Sequence, residues 1–218
     1  MCYLLPDGSY ETIPANSGIQ RFIWEHFQNI NHIIQHMKYS SSTFSGTKSM
    51  MCIENFIIIS HYCMPDGRKP DTGKVDVICN WGTCHTLSKV RAFLGTVGLM
   101  RIYIQNYTHR IHALNKLTRK DVPFKWGPEQ IAAQDNVKQA VLHCPVLKLI
   151  DYTSNSPIIL AVDTLKITVG FFLCQQENGN VKKHIYNRFR SITLNDCETH
   201  FSQSKLEIFR LYCSLHSL

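Results

Sequence analysis

Two carboxylates stand in apolar surroundings, where their type and position could serve chemistry. Asp163 ends the first apolar run of PIILAVDTLKITVGFFLCQ, and Glu207 lies between Leu206 and Ile208. A carboxylate in such a place costs free energy unless it is paired, ligates a metal or lines a cleft. If a helix carrying Glu207 packs over a strand carrying Asp163, the two could supply oxygen ligands for Mg²⁺. Two such ions could activate water for phosphodiester cleavage.

A simpler interpretation exists for each carboxylate. Asp163 could be a solvated or capping residue of the turn that joins two strands. Glu207 could lie at the edge of an apolar helix face and pair with a basic neighbour such as Lys205 or Arg210. The residue types alone leave both interpretations open.

Composition limits the class of protein. The chain has 218 residues, 44% of them hydrophobic, which is enough for one large or two small cores. The net charge of +7 favours an anionic partner such as nucleic acid, without indicating a fold. No apolar run reaches the length of a membrane span, so we expect no membrane partner.

The nine cysteines are predicted to be mostly buried free thiols. Their number is odd and no signal peptide precedes them, so we expect an intracellular protein of the cytoplasm or nucleus, not a secreted one. In CNWGTCH the spacing of Cys79 and Cys84 fits neither a zinc knuckle nor a haem attachment site. Metal binding is therefore not expected there.

Hydrophobic periodicity divides the chain into helices and strands. Thr86 is a predicted N-cap, Pro128 a predicted first helical residue, and Gly179 a predicted hairpin turn. The terminal helix is expected to present Phe201, Leu206, Phe209, Tyr212 and Leu215 on one apolar face. In chain order the predicted elements are a loop-like start over 1–20, a helix over 21–38, one buried strand centred on 57–59, a loop over 64–74, helices beginning at 87 and 128, three strands within 158–192, and a helix from about 197.

The order of these blocks resembles the Pol polyprotein of gypsy-type LTR retrotransposons, and the resemblance is strongest to copies from fungal genomes. HIIQHMKYSSSTFSGTKSMMC and IIISHYCMPDGRKPDTGKV resemble the last palm helix, strand and loop of reverse transcriptase. VRAFLGTVGLMRIYIQNYTHRIHALNKLTRKDVPFKWGPEQ resembles its thumb. PIILAVDTLKITVGFFLCQ and FSQSKLEIFRLY resemble the first strands and first long helix of the RNase H domain.

The resemblance implies an α+β fold with a palm remnant, a helical thumb and a partial RNase H-like domain of three antiparallel strands plus a helix. The implied segments are 1–20 as a poorly ordered start, 21–80 as palm remnant, 81–146 as thumb and 147–218 as the front of RNase H. Asp163, with Gly170 seven residues on, matches the first catalytic aspartate of the family, and Glu207 matches its catalytic glutamate.

The departures from the family decide the expected activity. The family's polymerase aspartates and its two further RNase H ligands have no counterpart in this sequence. The resemblance therefore implies an enzyme-derived segment that is inactive alone and binds Mg²⁺ weakly or not at all.

An RNA:DNA hybrid or duplex is the expected partner. The thumb-like segment concentrates basic residues that could contact phosphates, although an ordinary solvated basic face would have the same composition. Two alternatives to an enzyme segment are a non-catalytic nucleic-acid-binding remnant and a domesticated protein-interaction module. The predicted nucleic-acid contacts are Lys89, Arg91, Arg101, Arg110, Lys116, Arg119 and Lys120, with His109 beside them.

Overall fold

The chain divides into two compact units, Met1–Ile53 and Glu54–Leu218. The computed structural model describes residues 3–51, 53–165, 167–177 and 180–217, and the side chains of these residues except 164, 165 and 180–182. Helices and small antiparallel sheets alternate along the chain, which confirms the predicted α+β class. None of the described helices is both long and apolar enough to cross a membrane.

The first unit contains a short hairpin and one long helix. Strands β1 (Thr12–Ile13) and β2 (Asn16–Gln20) pair antiparallel, so the prediction of a loop over 1–20 is wrong for this part. Helix α1 (Arg21–Tyr39) follows directly, as its periodicity predicts. Its apolar face is not covered within the unit, since Phe27 remains 44% exposed and no described residue of α1 is buried.

The second unit begins with a three-stranded meander where one buried strand and a loop were expected. Strands β3 (Phe56–Ile58), β4 (His61–Met64) and β5 (Gly67–Pro70) pair antiparallel in that order. The chain reverses at Ile59 and Ser60, whose φ values of 46° and 65° suit a tight hairpin turn. Periodicity missed the turn because a β-branched residue rarely adopts positive φ.

Helices then build the main core. Helix α2 (Thr72–Cys79) is capped by Asp71, and α3 (Leu87–Gly98) by Thr86, whose Oγ1 accepts from the Lys89 amide at 3.3 Å, as predicted. Short helices α4 (Tyr107–Arg110) and α5 (His112–Lys116) precede α6 (Pro128–Leu142), which begins at the expected proline. The fully buried side chains of this core include Ile78, Val90, Phe93, Val97, Met100, Leu114, Val137 and Leu147.

The three predicted C-terminal strands are confirmed. Strands β6 (Ile158–Leu165), β7 (Thr168–Glu177) and β8 (Asn180–Thr193) form an antiparallel sheet in chain order. The predicted turn residue Gly179 lies outside the described residues. Phe189 of β8 belongs to the main core, so the helices and this sheet share one core across residue 146. The predicted boundaries at 20/21, 80/81 and 146/147 stay predictions, since the compact units divide after Ile53.

Two helices follow the sheet where one was expected. Helix α7 (Asp196–Thr199) is separated from α8 (Gln203–His216) by residues 200–202. The side of α8 that packs inward carries Leu206, Arg210 and Ser214, spaced four residues apart. The predicted apolar face was therefore wrong in its second half, because Tyr212 is 61% and Leu215 59% exposed.

The described cysteines are free, in line with the expectation, but few are fully buried. Cys84 and Cys174 are buried, Cys197 is exposed, and the other described thiols are half-buried. Burial raises the pKa of Cys144 to about 12 and also raises the pKa values of Cys84 and Cys174. Because the thiolate is the nucleophile, these thiols are held in their unreactive form at neutral pH.

Among the cysteines that the structure describes, we therefore expect Cys197 to react first with iodoacetamide at pH 7.5, and Cys84, Cys144 and Cys174 to react at least ten times more slowly. Peptide-resolved mass spectrometry over a time course measures the separate rates. Full denaturation in guanidinium is the control, since it should bring all rates together. Equal rates in the folded chain would contradict the described burial.

Candidate functional site

One row of residues crosses the C-terminal sheet at Asp163. Asp163 of β6 lies opposite Gly170 of β7, and Gly170 lies opposite Ser191 of β8. Residues that lie directly opposite each other in antiparallel strands project from the same face. Asp163, Gly170 and Ser191 therefore share the face that also carries Phe172 and Phe189, which pack on the helical core.

Two residues at the start of α4, Asn106 and Thr108, are hydrogen-bonded to this row. Asn106 Nδ2 donates to Asp163 Oδ2 at 2.6 Å. The Thr108 amide donates to Ser191 Oγ at 2.9 Å, and the two hydroxyls are 2.7 Å apart. Asn106 has φ 55° and ψ 35°, a left-handed conformation that asparagine tolerates better than most residues. The Asp163 carboxylate thus accepts a hydrogen bond from a residue 57 positions away.

Gly170 leaves the space that this contact needs. A Cβ atom built at Gly170 would lie 1.8 Å from Asn106 Oδ1, far inside the van der Waals limit. The Asn106 amide therefore lies directly on the bare backbone of β7, beside Asp163. The family pattern placed a glycine here, and the structure shows what it accommodates in this chain.

Glu207 belongs to the helix on the other side of the sheet. Leu206 of α8 is buried with Val169 and Phe171, which project from the face opposite to Gly170. Glu207 itself is exposed, and its Oε1 accepts from Gln203 Nε2 at 3.1 Å. Asp163 and Glu207 each have a partner other than one another, and their joint role stays a prediction.

The donor set does not fit a complete Mg²⁺ site. Mg²⁺ takes a near-octahedral set of oxygens and usually binds carboxylates together with waters and substrate phosphates. Among the described residues, no group of three or more His, Cys, Asp or Glu side chains could hold a metal ion, the CNWGTCH stretch included. Asp163 already accepts a short hydrogen bond from Asn106. Asp163 and Glu207 alone would leave most coordination positions of such an ion to water and substrate oxygens.

Most of the predicted basic contacts are free to meet an anion. The described part of the chain contains ion pairs at Arg21 and Lys183 only, so none of the predicted residues is held by a carboxylate. Arg110 also has no carboxylate partner, but its guanidinium is already hydrogen-bonded within the protein. Its Nε donates to the Gln105 carbonyl at 2.9 Å, and its guanidinium also contacts Asn136. The exposed members of the set are Lys89, Arg91, Arg101, His109, Lys116, Arg119 and Lys120.

Comparison with known proteins gives consistent matches. Residues 126–218 match the RNase H-like domain found in reverse transcriptase. The transposon Tf2-3 and Tf2-4 polyproteins of Schizosaccharomyces pombe are 26% identical over 191 residues, which cover 88% of this chain. The chain spans only 14% of the length of these relatives.

Solved structures of a foamy viral protease-reverse transcriptase share the fold. One, in complex with double-stranded DNA, has a TM-score of 0.68 at 19% identity and covers 89% of this chain and 34% of its own. Another, in complex with an RNA/DNA hybrid, has a TM-score of 0.68 at 18% identity and covers 89% of this chain and 26% of its own. These likenesses confirm the fold class that the sequence motifs indicated.

Replacing Gly170 tests the contact beneath Asn106. We expect Gly170→Ala to destabilise the chain by about 1–3 kcal/mol, because the new methyl group displaces the Asn106 amide from the sheet. Chemical denaturation followed by tryptophan fluorescence measures the free energy of unfolding.

The matched background is Asn106→Gly, which removes the clashing amide and keeps a residue that accepts positive φ. In that background Gly170→Ala should lower the free energy of unfolding much less than in the wild type, so the effects of the two changes are non-additive. Additive costs would show that Asn106 does not lie over Gly170 in solution.

Proposed function

We propose that this chain, which is similar to the reverse transcriptase/RNase H region of LTR retrotransposon polyproteins, binds double-stranded nucleic acid, with an RNA:DNA hybrid as the preferred ligand. The observation that carries the proposal is the set of exposed basic side chains on the helical part that have no carboxylate partner among the residues that the structure describes. The foamy viral neighbours, in complex with double-stranded DNA and with RNA/DNA hybrid, support the choice of ligand.

Five of these basic residues lie in two groups on the helical part, and the other two, Arg101 and His109, lie between the groups in the sequence. Lys89 and Arg91 lie in the first turns of α3. Lys116 ends α5, and Arg119 and Lys120 follow it. Such cations contact the phosphate backbone, which fixes the position of a duplex without reading its sequence. Arg110 is better explained as a structural residue, because its guanidinium already bonds within the protein.

We further propose that the isolated chain cleaves no hybrid and synthesises no DNA. Families of this kind generally use divalent metals, which supply an activated water and charge neutralisation at the phosphate. In this chain Asp163 accepts from Asn106, and Glu207 is exposed on the helix across the sheet. Mg²⁺ at Asp163 and Glu207 would have too few anionic oxygens and would be weakly held.

A protein-interaction role is the second candidate. It is favoured by the outer side of α8, where Ile208 is 72% and Tyr212 61% exposed. Large apolar side chains that share an exposed helix face are typical of interaction surfaces. Binding to hybrid that does not change with salt would favour this candidate over the first.

The binding proposal predicts a steep dependence on salt. Fluorescence anisotropy with a labelled 20-base-pair hybrid should show affinity falling linearly with salt on logarithmic axes. The triple variant Lys116→Gln, Arg119→Gln, Lys120→Gln should lower that slope by about 2 to 3, since each phosphate contact contributes roughly 0.9.

A matched triple variant separates local contacts from net charge. Lys38→Gln, Lys48→Gln and Lys74→Gln remove the same charge from exposed positions outside the predicted set. This control should keep the wild-type slope. No measurable binding by the wild-type chain, or equal losses in both variants, would refute the proposed contacts.

The proposed lack of catalysis predicts that divalent metal causes no cleavage of the hybrid and little stabilisation of the chain. Incubation with 5 mM Mg²⁺ or Mn²⁺ should leave the hybrid intact, and the metal should stabilise the fold by less than ~0.4 kcal/mol, the value for a Kd equal to the metal concentration. Gel electrophoresis and thermal unfolding measure the two results. Metal-dependent cleavage that is lost in Asp163→Asn would contradict the proposal.

A further inference from the structure

The face of the C-terminal sheet on which α8 packs is covered at two places along β7. Leu206 of α8 is buried there with Phe171. Gln175 projects from the same face, since it follows Phe171 by four residues and the register of β7 with β6 is unbroken between them. Gln175 Oε1 accepts from the Asp151 amide and its Nε2 donates to the Asp151 carbonyl, both at 2.9 Å. The segment 149–156 therefore lies over this end of the sheet.

A groove of about 510 Å³ opens over Leu173, between these two covered positions. From the sheet its lining takes Ile158 of β6, Leu173 of β7 and Arg188 of β8. The register places these three on one face, since Ile158 lies opposite Gln175 and Leu173 lies opposite Arg188. The rest of the lining consists of Asn187 and three residues of the segment 149–156, namely Leu149, Ile150 and Tyr152.

The rim of the groove presents an aromatic ring on an anchored backbone. Tyr152 is 82% exposed, although Asp151 beside it is held by Gln175. At the start of the segment, Asn187 Nδ2 donates to the Lys148 carbonyl at 2.9 Å. A flat ligand can stack on an exposed ring, and an anchored backbone reduces the entropy lost when it does so.

Arg188 gives the groove a positive charge. It is half-buried and has no ion pair and no side-chain hydrogen bond with any residue that the structure describes. The lining contains no Asp or Glu. The carboxylate of Asp151, the acid beside Tyr152, accepts from the Thr153 amide at 2.9 Å and from its hydroxyl at 2.6 Å. A half-buried guanidinium is less screened by water than an exposed one, so the groove favours a ligand with an anionic group.

We propose that this groove binds an unpaired nucleotide of a single-stranded extension, with the base against Tyr152 and the phosphate at Arg188. The inference rests on the proposed duplex-binding function and extends it to a strand that continues past the duplex. A wholly apolar ligand would leave Arg188 unpaired, and a small inorganic anion would leave the apolar floor at Leu173 uncovered. A nucleotide satisfies both, because its base has a flat apolar face and its phosphate accepts bidentate hydrogen bonds from a guanidinium.

The test compares a blunt 20-base-pair hybrid with the same hybrid carrying a four-nucleotide single-stranded extension. Fluorescence anisotropy should show that the wild-type chain binds the extended hybrid roughly tenfold more tightly, the gain expected from a stacked base. An extension of four abasic residues carries the same phosphates without bases. It should raise affinity by at most about twofold, since only the phosphate contact remains. An equal gain from the abasic extension would overturn the proposal.

Matched variants assign the gain to the groove. Tyr152→Ala should remove most of the gain and leave binding of the blunt hybrid unchanged. Tyr39→Ala is its control, because Tyr39 is also 82% exposed but belongs to the first unit. Arg188→Gln should reduce the gain and lower the salt slope for the extended hybrid by about 0.7, the value for one single-strand phosphate contact. Lys183→Gln should change neither quantity, since exposed Lys183 of β8 is paired with Glu177 outside the groove.

The outcomes separate this proposal from the function beneath it. If the blunt hybrid binds and the extension adds nothing, the groove proposal is wrong and duplex binding stands. If only a single-stranded hexanucleotide binds, and Tyr152→Ala weakens it, duplex binding is wrong and the groove proposal stands. A gain that persists in Tyr152→Ala would overturn the groove proposal.

A protein ligand is the alternative occupant of the groove. A leucine-rich peptide with a free carboxyl terminus serves as the competing probe. If it displaces the extension at lower concentration than the hexanucleotide does, and fails to bind Tyr152→Ala, the groove is a peptide site and the proposal is wrong. Circular dichroism and thermal unfolding show whether each variant is folded. The comparison of normal and abasic extensions needs only the wild-type chain, so it decides the proposal even if a variant misfolds.

Discussion

The hydrogen bond from Asn106 to Asp163 is the contact on which the second unit most depends. It joins a segment of the helical part to a strand of the C-terminal sheet, over bare backbone at Gly170. With the Thr108–Ser191 contact it fixes the segment at both ends of one cross-strand row. A charged acceptor and a half-buried position make such a bond worth more than a solvent-exposed one. Close to this contact in sequence and in the sheet, Tyr107 and Phe172 pack against the main core, to which Phe189 belongs.

This contact also changes how Asp163 is understood. By family resemblance Asp163 is a catalytic carboxylate, and in this structure it is an acceptor that holds two parts of the fold together. The two roles compete, because an oxygen that accepts a short amide hydrogen bond has less capacity left for a metal. The sheet also lies between the two predicted carboxylates, because Asp163 projects from the face that packs on the helical core and Glu207 belongs to α8 on the other face.

Local patterns in the sequence were enough to predict the helices and strands whose apolar residues recur at a regular spacing. Helices α1, α3 and α6 and the three long strands follow from apolar spacing, a Thr cap and a Pro start. The β3–β4 turn could not be foreseen, because Ile59 takes a positive φ that its side chain disfavours. The inward side of α8 was misjudged because Arg210 and Ser214 are buried there in place of Tyr212 and Leu215. The Asn106 contact could not be predicted, since it joins residues 57 positions apart in the chain.

The left-handed Asn106 and the bare Gly170 have a consequence for how this sequence can change over time. Any side chain at 170 meets the amide at 106, and most residues at 106 meet the backbone strain of a positive φ. A side chain at position 170 therefore lowers stability while Asn106 is present, and lowers it less once position 106 has become smaller. Glycine at position 106 would remove the clash and accept the positive φ. Alanine at position 106 would also remove the clash, but its backbone would be strained at a positive φ. The order in which the two positions change therefore decides how much stability is lost at each step, so the residue at one position influences which changes the other can accept.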